Sequence, residues 1–237
     1  MCGPLRLGLC GVLLVLAACP GQVEAVLIDE DDPLNPGLAP GETFHLAFVT
    51  SGVTTVSYSH SVSVCNTFVT GQASTAGSAV ADLGLSWSAI VSTGSSLPTT
   101  HAYDNAPVSA PVYLIDGTSV ATGYSDFWDG SLDSPINVSQ SGDAITTGTT
   151  SVWTGSRSNG QQHSVWPVGA SMTEYGNRTA SGSTWIETGY HQYYYKYPYR
   201  MYALSPVLTV APEPATFSLL ALSGLGFICR RRRRAAT

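Results

Sequence analysis

The chain has 237 residues, of which 43% are hydrophobic and only 11% are charged. This apolar content supports a packed core and excludes a chain that is disordered throughout. Residues 26–210 carry 14 acidic and 4 basic side chains. That balance excludes a protein that binds nucleic acid through its phosphates, because such binding needs clustered lysine and arginine.

The first 25 residues are typical of a secretory leader. Arg6 precedes an apolar stretch over residues 7–18 that is too short to span a bilayer. Val23 and Ala25 place small residues where a signal peptidase cuts, so we expect a signal peptide over 1–25. The alternative is lipidation of Cys19, because residues 16–19 also resemble a lipobox. Together with the other end of the chain, the leader excludes a cytosolic destination.

The segment over 26–42 contains three prolines and four consecutive acidic residues. Prolines discourage regular pairing, so we expect a flexible, solvated lead-in segment here. Residues 43–50 alternate apolar with polar or small side chains and predict the first strand. Residues 60–75 fit a helical face and predict a helix, and 83–93 predict a strand.

Short strands and turns are predicted for the rest of the body. Residues 94–110 and 125–139 are expected to be loops, and 110–122 to form a turn with Asp116 and Gly117 at its tip. Strands are predicted within 149–161, 183–188 and 200–210. No repeat and no long amphipathic helix is visible, so we expect one domain over 43–210.

The end of the chain combines three features in a fixed order. Pro212, Glu213 and Pro214 come first, an uncharged and mostly apolar segment follows over 215–229, and a basic block closes it: Arg230, Arg231, Arg232, Arg233 and Arg234. This order resembles a PEP-CTERM sorting tail over 211–237. The resemblance implies bacterial export, an exosortase as partner and at least transient insertion of one C-terminal hydrophobic helix into the membrane. Arginines stay on the cytoplasmic side, which would leave the body outside; a permanent single-pass anchor is the alternative.

The body contains one cysteine, Cys65. An intrachain disulfide and a thiolate metal cluster are therefore both excluded there after leader cleavage. We expect Cys65 to be a small buried apolar residue.

An ordered series of short motifs runs through the body, with Trp87, Trp166 and Trp185 between them: FVTS at 48–51, YLIDGT at 113–118, DGSL at 129–132, VWTGS at 152–156 and MYALS at 201–205. The series resembles an uncharacterised bacterial secreted domain related to endostatin and the C-type-lectin-like fold. The resemblance implies a single α+β domain, mostly antiparallel β, with one or two helices and long loops held by tryptophans. The calcium-dependent sugar-binding tripeptides of C-type lectins and the basic face of endostatin are missing.

Catalytic and metal-binding patterns are weak. The chain has no Gly-x-Ser-x-Gly elbow and no closely spaced histidine pair, so we expect no cofactor and no metal. Asp126, Asp129 and Asp133 are expected to cap turns, although convergence on a calcium ion is an alternative.

Aromatic residues are the best candidates for ligand contact. Trp87, Trp153 and Trp185 lie in apolar strand contexts and are predicted to be in the core. Neighbouring residues of a strand point to opposite faces, so the tyrosine-rich run over 190–202 cannot bury every ring. Rings that face outward stack on sugars and on protein surfaces. The candidate contacts are Trp128, Trp166, Tyr194 and Tyr197.

These features predict an exported, non-enzymatic protein of the cell surface or extracellular matrix that contacts polysaccharide or other envelope components. One alternative is a secreted glycan hydrolase, which needs two carboxylates across a cleft. Glu174 and Glu187 are the late glutamates available for it. A purely structural biofilm or coat component is the other alternative.

Overall fold

A computed structural model of the chain describes residues 26–193 and 196–211. The predicted signal peptide over 1–25, Cys19, Tyr194 and the sorting tail from residue 212 onward, including the predicted helix over 215–229, lie outside the described residues. Among the residues that are described, no helix is both long and apolar enough to cross a bilayer.

The described residues form ten strands and three α-helices, and two short 3-10 turns lie at Ala81–Leu83 and Ser183–Trp185. The strands are β1 (Val26–Ile28), β2 (Thr43–Val49), β3 (Ser88–Ala89), β4 (Val112–Leu114), β5 (Ser119–Ala121), β6 (Ser151–Trp153), β7 (Met172–Asn177), β8 (His191–Tyr193), β9 (Tyr202–Leu204) and β10 (Leu208–Val210). The helices are α1 (Val62–Ala73), α2 (Ala102–Asn105) and α3 (Tyr124–Phe127).

The main sheet is built around β2. This strand pairs with β4 in parallel and with β9 and β10 in antiparallel orientation, and β1, β3 and β5 complete seven strands. Residues 44–49 of β2 are all buried, including His45. β2 is therefore buried on both faces, rather than on one face as its alternating pattern suggests.

A smaller antiparallel sheet contains β6, β7 and β8 in that order. The backbone of Arg200, just before β9, joins it to the main sheet, because the amide of Trp153 donates to the Arg200 carbonyl at 3.0 Å. The two sheets and the few short helices make an α+β architecture in which β structure predominates.

The core is rich in aromatic contacts. Phe48 of β2 meets Trp87 edge-on with ring centroids 4.8 Å apart, and Trp185 lies 5.6 Å from Tyr202. Trp87, Trp153 and Trp185 are all buried, which confirms that these three tryptophans belong to the core. Cys65 is buried on α1, as expected.

Several predicted elements match the structure, and one is wrong. The strand over 43–50, the helix over 60–75 and the turn over 110–122 correspond to β2, α1 and the β4–β5 pair. The predicted strand over 183–188 is a 3-10 turn followed by irregular backbone, because the Trp185 amide bonds to the Gly182 carbonyl at 2.8 Å. The strand predicted over 83–93 is reduced to β3, and the loop over 94–110 contains α2.

The lead-in segment over 26–42 is more ordered than its prolines suggest. Its first three residues form β1, which pairs in parallel with β10. The Asn35 side chain then holds the following turn, since its Oδ1 accepts from the amides of Gly37 and Leu38 at 3.1 and 2.8 Å. Prolines forbid pairing only where they stand, and the pairing here uses residues before the first of them.

Candidate functional site

Four tyrosines gather beside the small sheet. Tyr175 lies on β7, and Tyr190, Tyr197 and Tyr199 lie around β8 and just before β9. Tyr190 is 69% exposed, and the other three are half-buried. We call Tyr175, Tyr190, Tyr197 and Tyr199 the tyrosine surface.

The tyrosine surface is linked to the core by ring contacts that begin at a buried tryptophan. The buried Trp153 ring packs on Tyr199 at 4.6 Å between centroids, and Tyr199 stacks on Tyr197 at 6.1 Å with an interplanar angle of 15°. The ring of Tyr175 also contacts Tyr199, with the two centroids 5.4 Å apart. The Lys196 ammonium lies 5.4 Å from the centre of the Tyr197 ring, within reach of a cation–π contact.

Backbone and buried side chains fix the inner part of this surface. Tyr199 and Thr54 exchange both backbone hydrogen bonds, at 2.8 and 3.0 Å, and the Trp153 Nε1 donates to the Thr54 carbonyl at 3.0 Å. The neighbouring Arg200 guanidinium is buried and donates to the carbonyls of Thr50 and Ser51. The inner rings are thus held in place before a ligand arrives. Binding would therefore cost little conformational entropy in these side chains.

The phenols of Tyr175 and Tyr199 stay neutral near pH 7. Burial raises the pKa of Tyr175 and of Tyr199 above the ordinary value of 10. Neutral phenols offer both a hydrogen-bond donor and an acceptor beside a flat apolar face. Such a surface can stack on the apolar face of a sugar ring and hydrogen-bond to its hydroxyls.

Few positive charges reach the surface of the described region. Arg178 and Arg200 are buried, at 2% and 9% exposure, and Arg178 donates to the carbonyls of Ile145, Thr147 and Thr149. Among the described cations, Arg157 and Lys196 are the exposed ones. Because the acidic residues far outnumber them, this region carries a net negative charge.

The four predicted contact residues have different outcomes. Tyr197 belongs to the tyrosine surface, whereas Tyr194 lies outside the described residues. Trp166 is half-buried and stacks on His163 at 4.6 Å with an angle of 19°.

Trp128 is not available as a contact, which corrects its prediction. It is only 6% exposed and packs on Phe127 at 4.8 Å and on Trp185 at 6.2 Å. Its ring also lies against Gly160, whose φ is +74°, and a Cβ there would come within 2.4 Å of the ring. A loop tryptophan is buried because the Asn159–Gly160 turn closes over it.

Tyr175, Tyr190 and Tyr199 were not among the predicted contacts. Tyr190 and Tyr199 belong to the tyrosine-rich part of the sequence, but only the order of the strands reveals which rings meet. Tyr175 lies in residues 172–177, for which no strand was predicted. The burial pattern of β7 does not follow period two, because Thr173 is buried whereas Tyr175 on the same face is half-buried, and Glu174 between them is also buried.

Glu174 and Glu187 do not face each other across an open cleft. Glu174 is fully buried, and its Oε1 accepts from the Thr188 amide at 2.9 Å, the Gly189 amide at 3.0 Å and the Thr188 hydroxyl at 3.1 Å. Burial raises its pKa to about 7. Glu187 accepts from the Ser158 amide at 2.7 Å. Glu174 therefore lacks the access to substrate that the hydrolase alternative requires of both carboxylates.

The three aspartates considered as calcium ligands each serve a separate turn. Asp126 accepts from the amide and hydroxyl of Thr122, and Asp129 accepts from those of Ser131. Asp133 accepts from the Ser119 hydroxyl at 3.5 Å. Within the described residues no group of three or more histidine, cysteine, aspartate or glutamate side chains could hold a metal ion.

Comparison with known families finds a protein-sorting motif in the chain. The PEP-CTERM protein-sorting motif matches residues 210–234. This match includes Pro212, Glu213 and Pro214 and the arginines from 230 to 234, and it implies export and exosortase-dependent sorting. A search of the curated proteins finds no match to the chain.

Proposed function

We propose that this protein is a non-enzymatic component of the cell surface or extracellular matrix that binds polysaccharide through the tyrosine surface. The sorting motif supports delivery to the envelope, with the C-terminal apolar segment as an anchor that is at least transient. The observation that carries the binding proposal is the stack of Tyr197 on Tyr199 on buried Trp153.

The chemistry of the surface favours a neutral glycan. Stacking needs a ring with an apolar face, and phenol groups add hydrogen bonds to hydroxyls. Lys196 is the exposed cation beside Tyr197, but the body as a whole carries 14 acidic against 4 basic side chains, so polymers rich in carboxylate or sulfate would meet a net negative protein.

We also propose that the body has a C-type-lectin-like fold. Three features support this assignment: α1 packs beside the main sheet, most of the body is short strands and loops, and tryptophans hold those loops. The proposal about binding does not depend on it, because a fold alone does not determine a function.

The test measures binding of the purified, exported protein to the neutral exopolysaccharide of its own host by calorimetry. Replacing Tyr197 by alanine should weaken binding about tenfold, which is about 1.4 kcal/mol, because one stacking ring is lost. Tyr190→Ala should weaken it less. Tyr124→Ala is the matched control, since Tyr124 is 50% exposed on α3 and lies outside the tyrosine surface.

Unchanged affinity in Tyr197→Ala would reject the tyrosine surface as the binding site. No binding of the unaltered protein to any host polysaccharide would instead favour the purely structural coat component.

A further inference from the structure

The folded domain and the sorting motif overlap, with no linker between them. The motif match begins at Val210, which is also the last residue of β10. Pro212 opens the Pro-Glu-Pro tripeptide only two positions later. A sorting enzyme that binds the tripeptide therefore works beside the last strand of the fold.

β10 is hydrogen-bonded on both sides up to the residue before Pro212. It lies between β1 and β2, and the amide of Val210 donates to the Glu42 carbonyl at 3.0 Å. The Val210 carbonyl accepts from the Gly41 amide at 2.8 Å, and the Ala211 amide donates to the Ile28 carbonyl at 2.8 Å. The side chains of Leu208 and Val210 are also fully buried.

One recurring mode of peptide recognition binds an extended segment as an added strand, through hydrogen bonds to its main chain. Each backbone N–H or C=O of residues 208–211 that already bonds within the sheet is not free for a second strand-like pairing. The folded domain and the enzyme thus compete for the same few residues.

We propose that β10 must leave the sheet before the exosortase can bind its motif, so that the β1–β10 pairing controls removal of the tail. This inference rests on the exosortase-dependent sorting described above. Removal breaks one peptide bond near residues 212–214: the acyl carbon passes to water or to a primary amine, and the tail departs with a new amino terminus. The newly exported chain is then the preferred substrate, and closure of β1 on β10 slows the reaction.

A reversible crosslink between the two strands provides the sharpest test. Leu27 and Thr209 are register partners, and Leu27 is 63% exposed, so the double variant Leu27→Cys with Thr209→Cys can place a disulfide across the pair. All samples lack residues 1–25, and with them Cys2, Cys10 and Cys19; the buried Cys65 does not compete, and Cys229 is replaced by serine. The folded chain from Val26 to Thr237 is reconstituted into vesicles with the exosortase, and tail removal is followed by mass spectrometry.

We expect the crosslinked chain to lose its tail at least tenfold more slowly than the same chain after reduction. The two single-cysteine variants control for the substitutions and should respond to reductant no more than the Cys229→Ser chain does. Equal rates before and after reduction would overturn the proposal.

A second variant separates this proposal from the sorting function itself. Six Gly/Ser residues inserted between Ala211 and Pro212 move the motif away from β10 without touching the sheet. We expect this insertion to raise the rate at least threefold and to make it insensitive to the crosslink. A crosslinked insertion variant that stays slow would overturn the proposal. If neither the unaltered chain nor the insertion variant is processed by an active exosortase, the sorting function fails, and this inference fails with it.

Discussion

The main sheet and the small sheet are held together by different kinds of interaction. Around β2 the buried side chains are nearly all apolar, and Phe48 and Trp87 pack ring against ring. Around β7 the buried groups include Glu174, Arg178 and Arg200, which are held by backbone partners rather than by each other. The first region depends on hydrophobic burial, whereas the second depends on hydrogen bonds to buried charged or titratable groups.

The largest effect should come from damage to the main sheet. Phe48→Ala removes a fully buried ring of β2 that packs against Trp87. It should lower the free energy of unfolding by about 3–5 kcal/mol. Chemical denaturation measures it. Phe68→Ala is the matched control, because that ring is only half-buried on α1. A loss no larger than the control's would show that the main sheet is not the stabilising core.

The small sheet should respond to pH through Glu174. The pKa of Glu174 is raised from 4.5 to about 7 by burial, so the unfolded chain releases this proton at lower pH than the folded one. Stability from this group is complete below pH 4.5 and declines as pH rises through 7, by roughly 3 kcal/mol at about 1.4 kcal/mol per pKa unit.

Glu174→Gln should remove this decline, while the exposed Glu42→Gln should leave it in place. Denaturation curves at pH 5 and 7.5 give the comparison. A pH dependence that is identical in the unaltered chain and in Glu174→Gln would contradict the assigned role of the buried carboxyl.

Substitutions at Gly160 and Gly37 distinguish the cost of backbone strain from the cost of a packing clash. Gly160→Ala forces a Cβ into the Trp128 ring at φ +74° and should cost about 2–3 kcal/mol. Gly37→Ala has φ +91° with open space around it and should cost about 1 kcal/mol from strain alone. Thermal unfolding measures both losses, and equal losses would mean that Trp128 does not pack against the turn.

The smallest expected effect concerns a thiol on α1. Burial raises the pKa of Cys65 to about 12, so in the folded Cys229→Ser chain it should not react with a thiol reagent at pH 8. It should react fully in denaturant. Rapid reaction of the native protein would show that α1 opens independently of the main sheet.

The sequence predicts the elements whose side chains follow a local pattern. It does not predict structure that depends on contacts between residues far apart in the chain. β2, α1 and the β4–β5 pair follow from alternation, helical spacing and an Asp-Gly turn. The pairing of β1 with β10 joins residues about 180 positions apart, and no local signal marks it. Residues 183–188 resemble a strand, but the Trp185 carbonyl is used by the Tyr202 hydroxyl at 3.0 Å instead of by a neighbouring strand.

The candidate site was only partly predictable for the same reason. An excess of tyrosine over 190–202 indicated that some rings face outward, and Tyr197 was singled out. Its support by Tyr199 and Trp153 depends on the backbone pairing of Tyr199 with Thr54, which brings together residues far apart in the chain. Trp128 resembled a loop contact because the turn at Gly160, which covers it, lies outside its local sequence.

Delivery beyond the cytoplasmic membrane is the central claim, and fractionation of the native host tests it most directly. Mass spectrometry of cytoplasm, membrane, envelope and medium should find chains that begin at Val26, lack part or all of residues 212–237, and occur outside the cytoplasm. Accumulation of the intact chain, from Met1 to Thr237, as a dissolved cytoplasmic protein would contradict export and the surface role together.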